Sequence, residues 1–177
     1  LVATARYSLD ADTGLDVELS ATNIGSGTAP FGMGFHPYLT AGGACADEME
    51  LTSPAGLAYE ADEHLIPTPA HPAGDLGLDF RSPRLIGSTS IDHCFTEPPV
   101  GTWTVTLRSP ASGVGVSLSS DVSWLQVYSA DDIDRVGVAV EPMTCPPDAF
   151  NSGTDVVALE PGATHTLSAR IAGTVTA

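Results

Sequence analysis

An all-β, antiparallel β-sandwich is the fold this sequence predicts, and two observations carry the prediction. Apolar and polar residues alternate with period two in one segment after another, and no segment presents the apolar stripe of a helix. Turn formers, among them 18 Gly and 14 Pro, cut the chain into pieces of strand length.

The elements follow in order. Leu15, Val17 and Leu19 alternate with Asp16 and Glu18 behind a turn at Asp12-Thr13-Gly14, and the run from Asn23 to Gly27 makes the next turn. Residues 31–36 read as a strand with Phe31, Met33 and Phe35 on a core face. Gly32, Gly34 and His36 share the other face, where the glycines leave space beside the imidazole. Pro37 biases His36 toward extended backbone at a strand end. Residues 61–90, broken by Pro67, Pro69, Pro72 and Pro83, read as a long surface loop bordering a site. Strands are expected at 102–107, 114–118, 124–128, 136–141 and 164–171, with turns at Ser109-Pro110 and Glu160-Pro161-Gly162. In the strand at 136–141, Val136, Val138 and Val140 form a core face, and Gly137, Ala139 and Glu141 the opposite one. No internal repeat or low-complexity tract divides the chain, so residues 1–177 are read as one domain.

Composition narrows the function. The formal charge is −16 and all six basic residues are Arg, a surface that repels nucleic acid and anionic lipid. No apolar run approaches the roughly 20 residues a membrane helix needs. A neutral small molecule is the easier partner. Cys45, Cys94 and Cys145 are odd in number and widely spaced, which argues against a disulfide framework or a zinc cluster. They are expected as buried free thiols in a reducing compartment, the cytoplasm. Metallopeptidase, nucleotide-binding and nucleophile-elbow motifs are missing. Neither a metal nor a cofactor is expected.

Two strands share one device: small residues on a face that ends in a titratable group just before a proline. His36 closes the first and Glu141 the second. Taken singly, a structural histidine and a solvated glutamate explain them as well. Taken together, an imidazole and a carboxylate suit general acid–base chemistry near pH 7. Asp92 is able to accept hydrogen bonds from sugar hydroxyls, or to start a strand as turn-forming Asp residues do. Tyr38, Trp103, Trp124 and Tyr128 are able to stack on a sugar ring or to pack the sandwich, and Tyr38 is the candidate for substrate contact. His93 has no evident role, and His64, His71 and His165 read as surface residues.

Three segments resemble the aldose 1-epimerase (galactose mutarotase) family, in that family's order. They are Gly32-Met33-Gly34-Phe35-His36-Pro37-Tyr38, Ile91-Asp92-His93-Cys94-Phe95, and the stretch from Ala139 through Glu141-Pro142-Met143-Thr144 to Asn151. Leu159-Glu160-Pro161-Gly162 adds a fourth. The resemblance implies a galactose mutarotase-like supersandwich with a sugar site on one sheet face. It implies His36 as general acid toward the ring oxygen, Glu141 as general base on the C1 hydroxyl, and Asp92 on substrate hydroxyls. It implies no cofactor. Family members are nearly twice this length, so the chain is expected to be the C-terminal part of such a domain, incomplete at its N-terminus. The competing functions are a hexose 6-phosphate epimerase, a non-catalytic sugar-binding module, and a glycosidase using Asp92 and Glu141. Sugar preference and oligomeric state are not legible.

Overall fold

The first turn folds as its residues dictate. The Asp10 carboxylate accepts hydrogen bonds from the Asp12 and Thr13 amides at 3.0 and 2.9 Å, and Gly14 takes φ +94°, where a side chain would strike the Ile171 carbonyl. In the computed structural model, which describes residues 1–175, fifteen strands follow from such local signals. They are β1 (Val2–Asp10), β2 (Gly14–Thr22), β3 (Ala29–Phe31), β4 (Tyr38–Leu39), β5 (Glu50–Thr52), β6 (Leu57–Ala61), β7 (Pro67–Pro72), β8 (Arg84–Leu85), β9 (Asp92–Thr96), β10 (Trp103–Arg108), β11 (Val114–Ser120), β12 (Trp124–Tyr128), β13 (Val138–Met143), β14 (Val157–Leu159) and β15 (Thr164–Val175).

The strands form a seven-stranded sheet ordered β1-β2-β15-β11-β10-β5-β8, a six-stranded sheet ordered β4-β13-β12-β9-β6-β7, and a small β14-β3 pair. The pairs are antiparallel. The core lies between the two large sheets. Trp103, Val105 and Leu107 of β10 and Leu118 of β11 meet Phe95, Leu125, Val127, Val138 and Val140 of the six-stranded sheet, and Phe80, Ile86 and Ile91 close the rim. Burial along β10 alternates as the sequence alternates, so each inward side chain removes apolar area worth roughly 25 cal/mol per Å². One edge stands apart: every residue of β1 is exposed.

Three expectations need correction. The segment 31–36 is a strand only as far as Phe31, and Phe31, Met33 and Phe35 are half-buried, outside the core cluster. The rest of the segment is clamped to β13: Met33 and Thr144 exchange two hydrogen bonds of 2.9 Å, and Gly34 bridges Met143. Gly32 does not clear space beside the imidazole, because a Cβ there would collide with the Cys145 sulfur.

The second correction concerns Val136, which is exposed rather than core. Asp134 and Arg135 adopt left-handed backbone just before it. The Arg135 guanidinium ties this turn to Asp47, Asp131 and the carbonyls of Gly87 and Thr89. Strand β13 therefore starts at Val138, where Gly137 packs closely on the Leu39 carbonyl.

The third concerns residues 61–90, which are more ordered than a loop. β7 pairs with β6, β8 pairs with β5, and Ala73, Leu78, Phe80 and Ile86 are buried. The prolines of β7 fit an edge strand, where an amide is not needed for pairing.

Candidate active site

The side chains that face away from the core on the six-stranded sheet form two rows, and strand register builds both. Glu141 lies opposite Gln126, Gln126 opposite Cys94, and Cys94 opposite Tyr59. In the next row Tyr38 lies opposite Ala139, Ala139 opposite Tyr128, and Tyr128 opposite Asp92. The alternation of β13 that sends Val138 and Val140 into the core sends Glu141 to this face.

The same register delivers the histidine. Leu39 pairs with Val138, Tyr38 with Ala139, and Gly34 with Met143. Between them the Phe35 amide donates to the Pro142 carbonyl, and the Val140 amide to the Pro37 carbonyl, each at 3.2 Å. His36 therefore stands across from Glu141, with its Nε2 3.2 Å from Glu141 Oε1. Half of the imidazole is exposed (54%), whereas the glutamate is nearly covered (13%).

These two groups border a cavity of about 360 Å³, whose wall also includes Asp92, Gln126, Tyr38 and Tyr59. Burial pushes the Glu141 carboxyl up from 4.5 to about 7; the neighbouring His36 opposes the rise and Asp92 adds to it. A carboxyl so poised exchanges a proton readily near neutrality. Asp92 is exposed, and one of its oxygens accepts a 2.7 Å hydrogen bond from Gln126 Nε2. The other end of that amide, Gln126 Oε1, is buried without a partner. The tip of the β6–β7 hairpin forms the rim: Asp62 caps the His64 and Ile66 amides, and Leu65 at φ +60° reaches the cavity wall.

The four sequence candidates, His36, Glu141, Asp92 and Tyr38, are thus brought to one cavity. Gln126, Tyr59 and Leu65 join them unannounced. Gln126 falls in the strand expected at 124–128, but nothing in the sequence singled it out. Among the remaining candidates, Trp124 is buried, donates to Asp155 at 2.8 Å and packs on Tyr59, while Trp103 belongs to the core. His165 is half-buried beside Phe31 rather than on the surface. Cys94 is a buried thiol in the cavity wall, pushed up to about 12 by burial and by Glu141; Cys45 and Cys145 are only half-buried. Among the described residues no three His, Cys, Asp or Glu side chains cluster to hold a metal, and no helix is long and apolar enough to cross a membrane.

The family model for aldose 1-epimerase matches residues 1–172. The chain belongs to the aldose 1-epimerase family. Two proteins of Escherichia coli (strain K12), both described as uncharacterized, are similar to this epimerase-family chain. YihR is 45% identical over 173 residues, covering 98% of this chain and 56% of its own. YphB is 30% identical over 177 residues, covering 90% and 56%. The GalM/aldose epimerase homologue from C. elegans superimposes with a TM-score of 0.84 at 19% identity, over 98% of this chain and 59% of its own. Galactose 1-epimerase from Lactobacillus acidophilus NCFM does so with a TM-score of 0.83 at 18% identity, over 98% and 57%. The fold is that of galactose mutarotase-like proteins. The chain spans about half the length of the curated relatives it matches, 56% in both cases.

Proposed function

We propose that this protein catalyses the interconversion of the α and β anomers of a free, neutral hexose such as galactose or glucose. The observation that carries the reading is the 3.2 Å approach of His36 Nε2 to Glu141 Oε1 in the wall of a sugar-sized cavity. The Glu141 carboxylate removes the C1 hydroxyl proton while the His36 imidazolium protonates the ring oxygen. The O1–H and C1–O5 bonds break, and the C1=O π bond and the O5–H bond form. Rotation about C1–C2 followed by reclosure, with each proton returned, gives the other anomer. Concerted transfer avoids a free oxyanion, and a well-placed acid or base contributes typically ~10²–10⁴-fold. Asp92, steadied by Gln126, receives substrate hydroxyls.

The charge around the cavity supports a neutral substrate over a phosphorylated one. Among the described residues Glu60, Asp92 and Glu141 line it, and neither Arg nor Lys does. A phosphate would meet three carboxylates and no guanidinium fork. A sugar-binding module would have no need for the pairing of His36 with Glu141. The three free thiols suit a reducing compartment, so we assign the protein to the cytoplasm.

Polarimetry of freshly dissolved α-D-galactose and α-D-glucose with the purified protein tests the proposal. Acceleration over buffer that disappears in Glu141→Gln is expected. A folded protein that accelerates neither sugar, or a Glu141→Gln variant as active as the parent, overturns the reading.

A further inference from the structure

We infer that Tyr38 is a positioning residue for the acid: its ring holds the His36 imidazole over Glu141, and its hydroxyl is not used. The inference rests on the mutarotase reading and deepens it.

Register comes first. Gly34, His36 and Tyr38 alternate onto one face of the segment that runs beside β13. The imidazole therefore has two neighbours along its own chain. On one side is Gly34, which offers no side chain, and the space where its Cβ would sit meets Met143 only at an ordinary 3.4 Å. On the other side is Tyr38, whose ring centre is 5.1 Å from that of His36 at an interplanar angle of 35°. A tilted, offset contact at this separation is attractive for two rings, and more so when the imidazole is protonated.

The second observation is how little else restrains the acid. His36 is half exposed, and among the described residues its polar contact is Glu141 alone. The Glu141 contact cannot serve as the anchor during turnover, because Glu141 must turn to the C1 hydroxyl and lose its charge when it takes that proton. Pro37 fixes the backbone after His36 but leaves the side-chain torsions free. The Tyr38 ring is what remains to keep Nε2 aimed at the ring oxygen. Among the described residues the Tyr38 hydroxyl has no protein partner, and the side chain is 47% exposed, so nothing in the fold depends on that oxygen. Pairing of Tyr38 with Ala139 fixes the backbone that carries the ring.

A residue that acts through the acid changes turnover, whereas one that binds sugar changes affinity. Tyr38→Leu is therefore expected to lower kcat by about ten-fold or more, with KM within about two-fold, because misplacing a reacting group by even 1 Å is able to cost on the order of 100-fold. Tyr38→Phe keeps the ring and is expected to recover most of the lost kcat. NMR of the His36 imidazole in the ligand-free protein supplies an independent readout: its ring resonances broaden through exchange in Tyr38→Leu, an effect that loss of a ring current alone does not produce, and sharpen again in Tyr38→Phe. If Tyr38→Leu leaves kcat intact and raises KM, or if Tyr38→Phe is as damaged as Tyr38→Leu, the inference is overturned and Tyr38 is a ligand contact. A parent protein that shows no mutarotation is a separate outcome: it sinks the mutarotase reading, and the NMR comparison still decides whether the ring restrains His36.

Discussion

Removing the charge of Glu141 should stabilise the protein at alkaline pH while destroying its activity. The folded protein holds the Glu141 proton more tightly than the unfolded chain does, because burial raises its pKa from 4.5 to about 7. Such a group lowers stability progressively as pH rises between those two values, and its full cost persists above them. For that shift, two-state linkage gives a loss of about 2–3 kcal/mol between pH 5 and pH 8. Glutamine keeps the shape without the charge, so Glu141→Gln escapes that loss. Other groups do not imitate the effect. Asp10, Asp16, Asp79 and Asp131 titrate below their ordinary carboxylate value, so their stabilising contributions vary only at pH values under 5. Burial lowers the pKa of His93, which makes stability rise with pH, the opposite sign. The thiol of Cys94 titrates far above the window. The assay is urea unfolding of parent and variant at pH 5 and pH 8, read as a double difference that cancels these shared terms. A stability gap between parent and variant that does not widen with pH refutes the argument that Glu141 is desolvated.

Activity should follow the same proton. The kcat/KM of the parent is expected to fall as pH drops through about 7, when free Glu141 becomes protonated; a flat profile down to pH 5 contradicts the base assignment. Asp92→Asn removes a like charge that raises the Glu141 pKa, so this acid limb should move to lower pH while KM for the sugar rises. Gly32→Ala drives a methyl into the Cys145 sulfur and should cost about 1–3 kcal/mol, relieved when Cys145→Ala is added; denaturation of the two single variants and the pair gives the coupling. Arg135→Ala strips four partners from one turn and should cost about 1–2 kcal/mol, with thermal unfolding as the measure and no change in the Glu141-dependent pH limb.

What the sequence made legible follows from the range of each interaction. The strand at 102–107 was readable because alternation over six residues is local, and it appears as β10 one residue later. His36 and Glu141 were readable because each ends its own small-residue face before a proline. That they touch was not, since their meeting depends on a ladder joining positions more than 100 residues apart. Gln126 was invisible for the same reason: its polar amide acquires meaning only from Glu141 on one side and Cys94 on the other. Prolines misled the reading of residues 61–90, because a proline marks a break in a central strand but is tolerated on an edge such as β7. The glycines misled it too. Gly32 yields to a sulfur brought in by the β13 end of the chain, which no local pattern announces.

The exposed strand β1 has a consequence for how this chain meets other chains. Two of the four outer strands of the large sheets, β4 and β8, are two residues long, and a third, β7, is interrupted by Pro67, Pro69 and Pro72. β1 is nine residues long, without proline, and carries Ala3, Ala5, Tyr7 and Leu9 on the face that continues Val17 and Ala21 of β2. It is a template for one further strand. In the 177-residue chain this ladder edge is open over nine residues, so a strand supplied from outside those residues is able to pair along all of it.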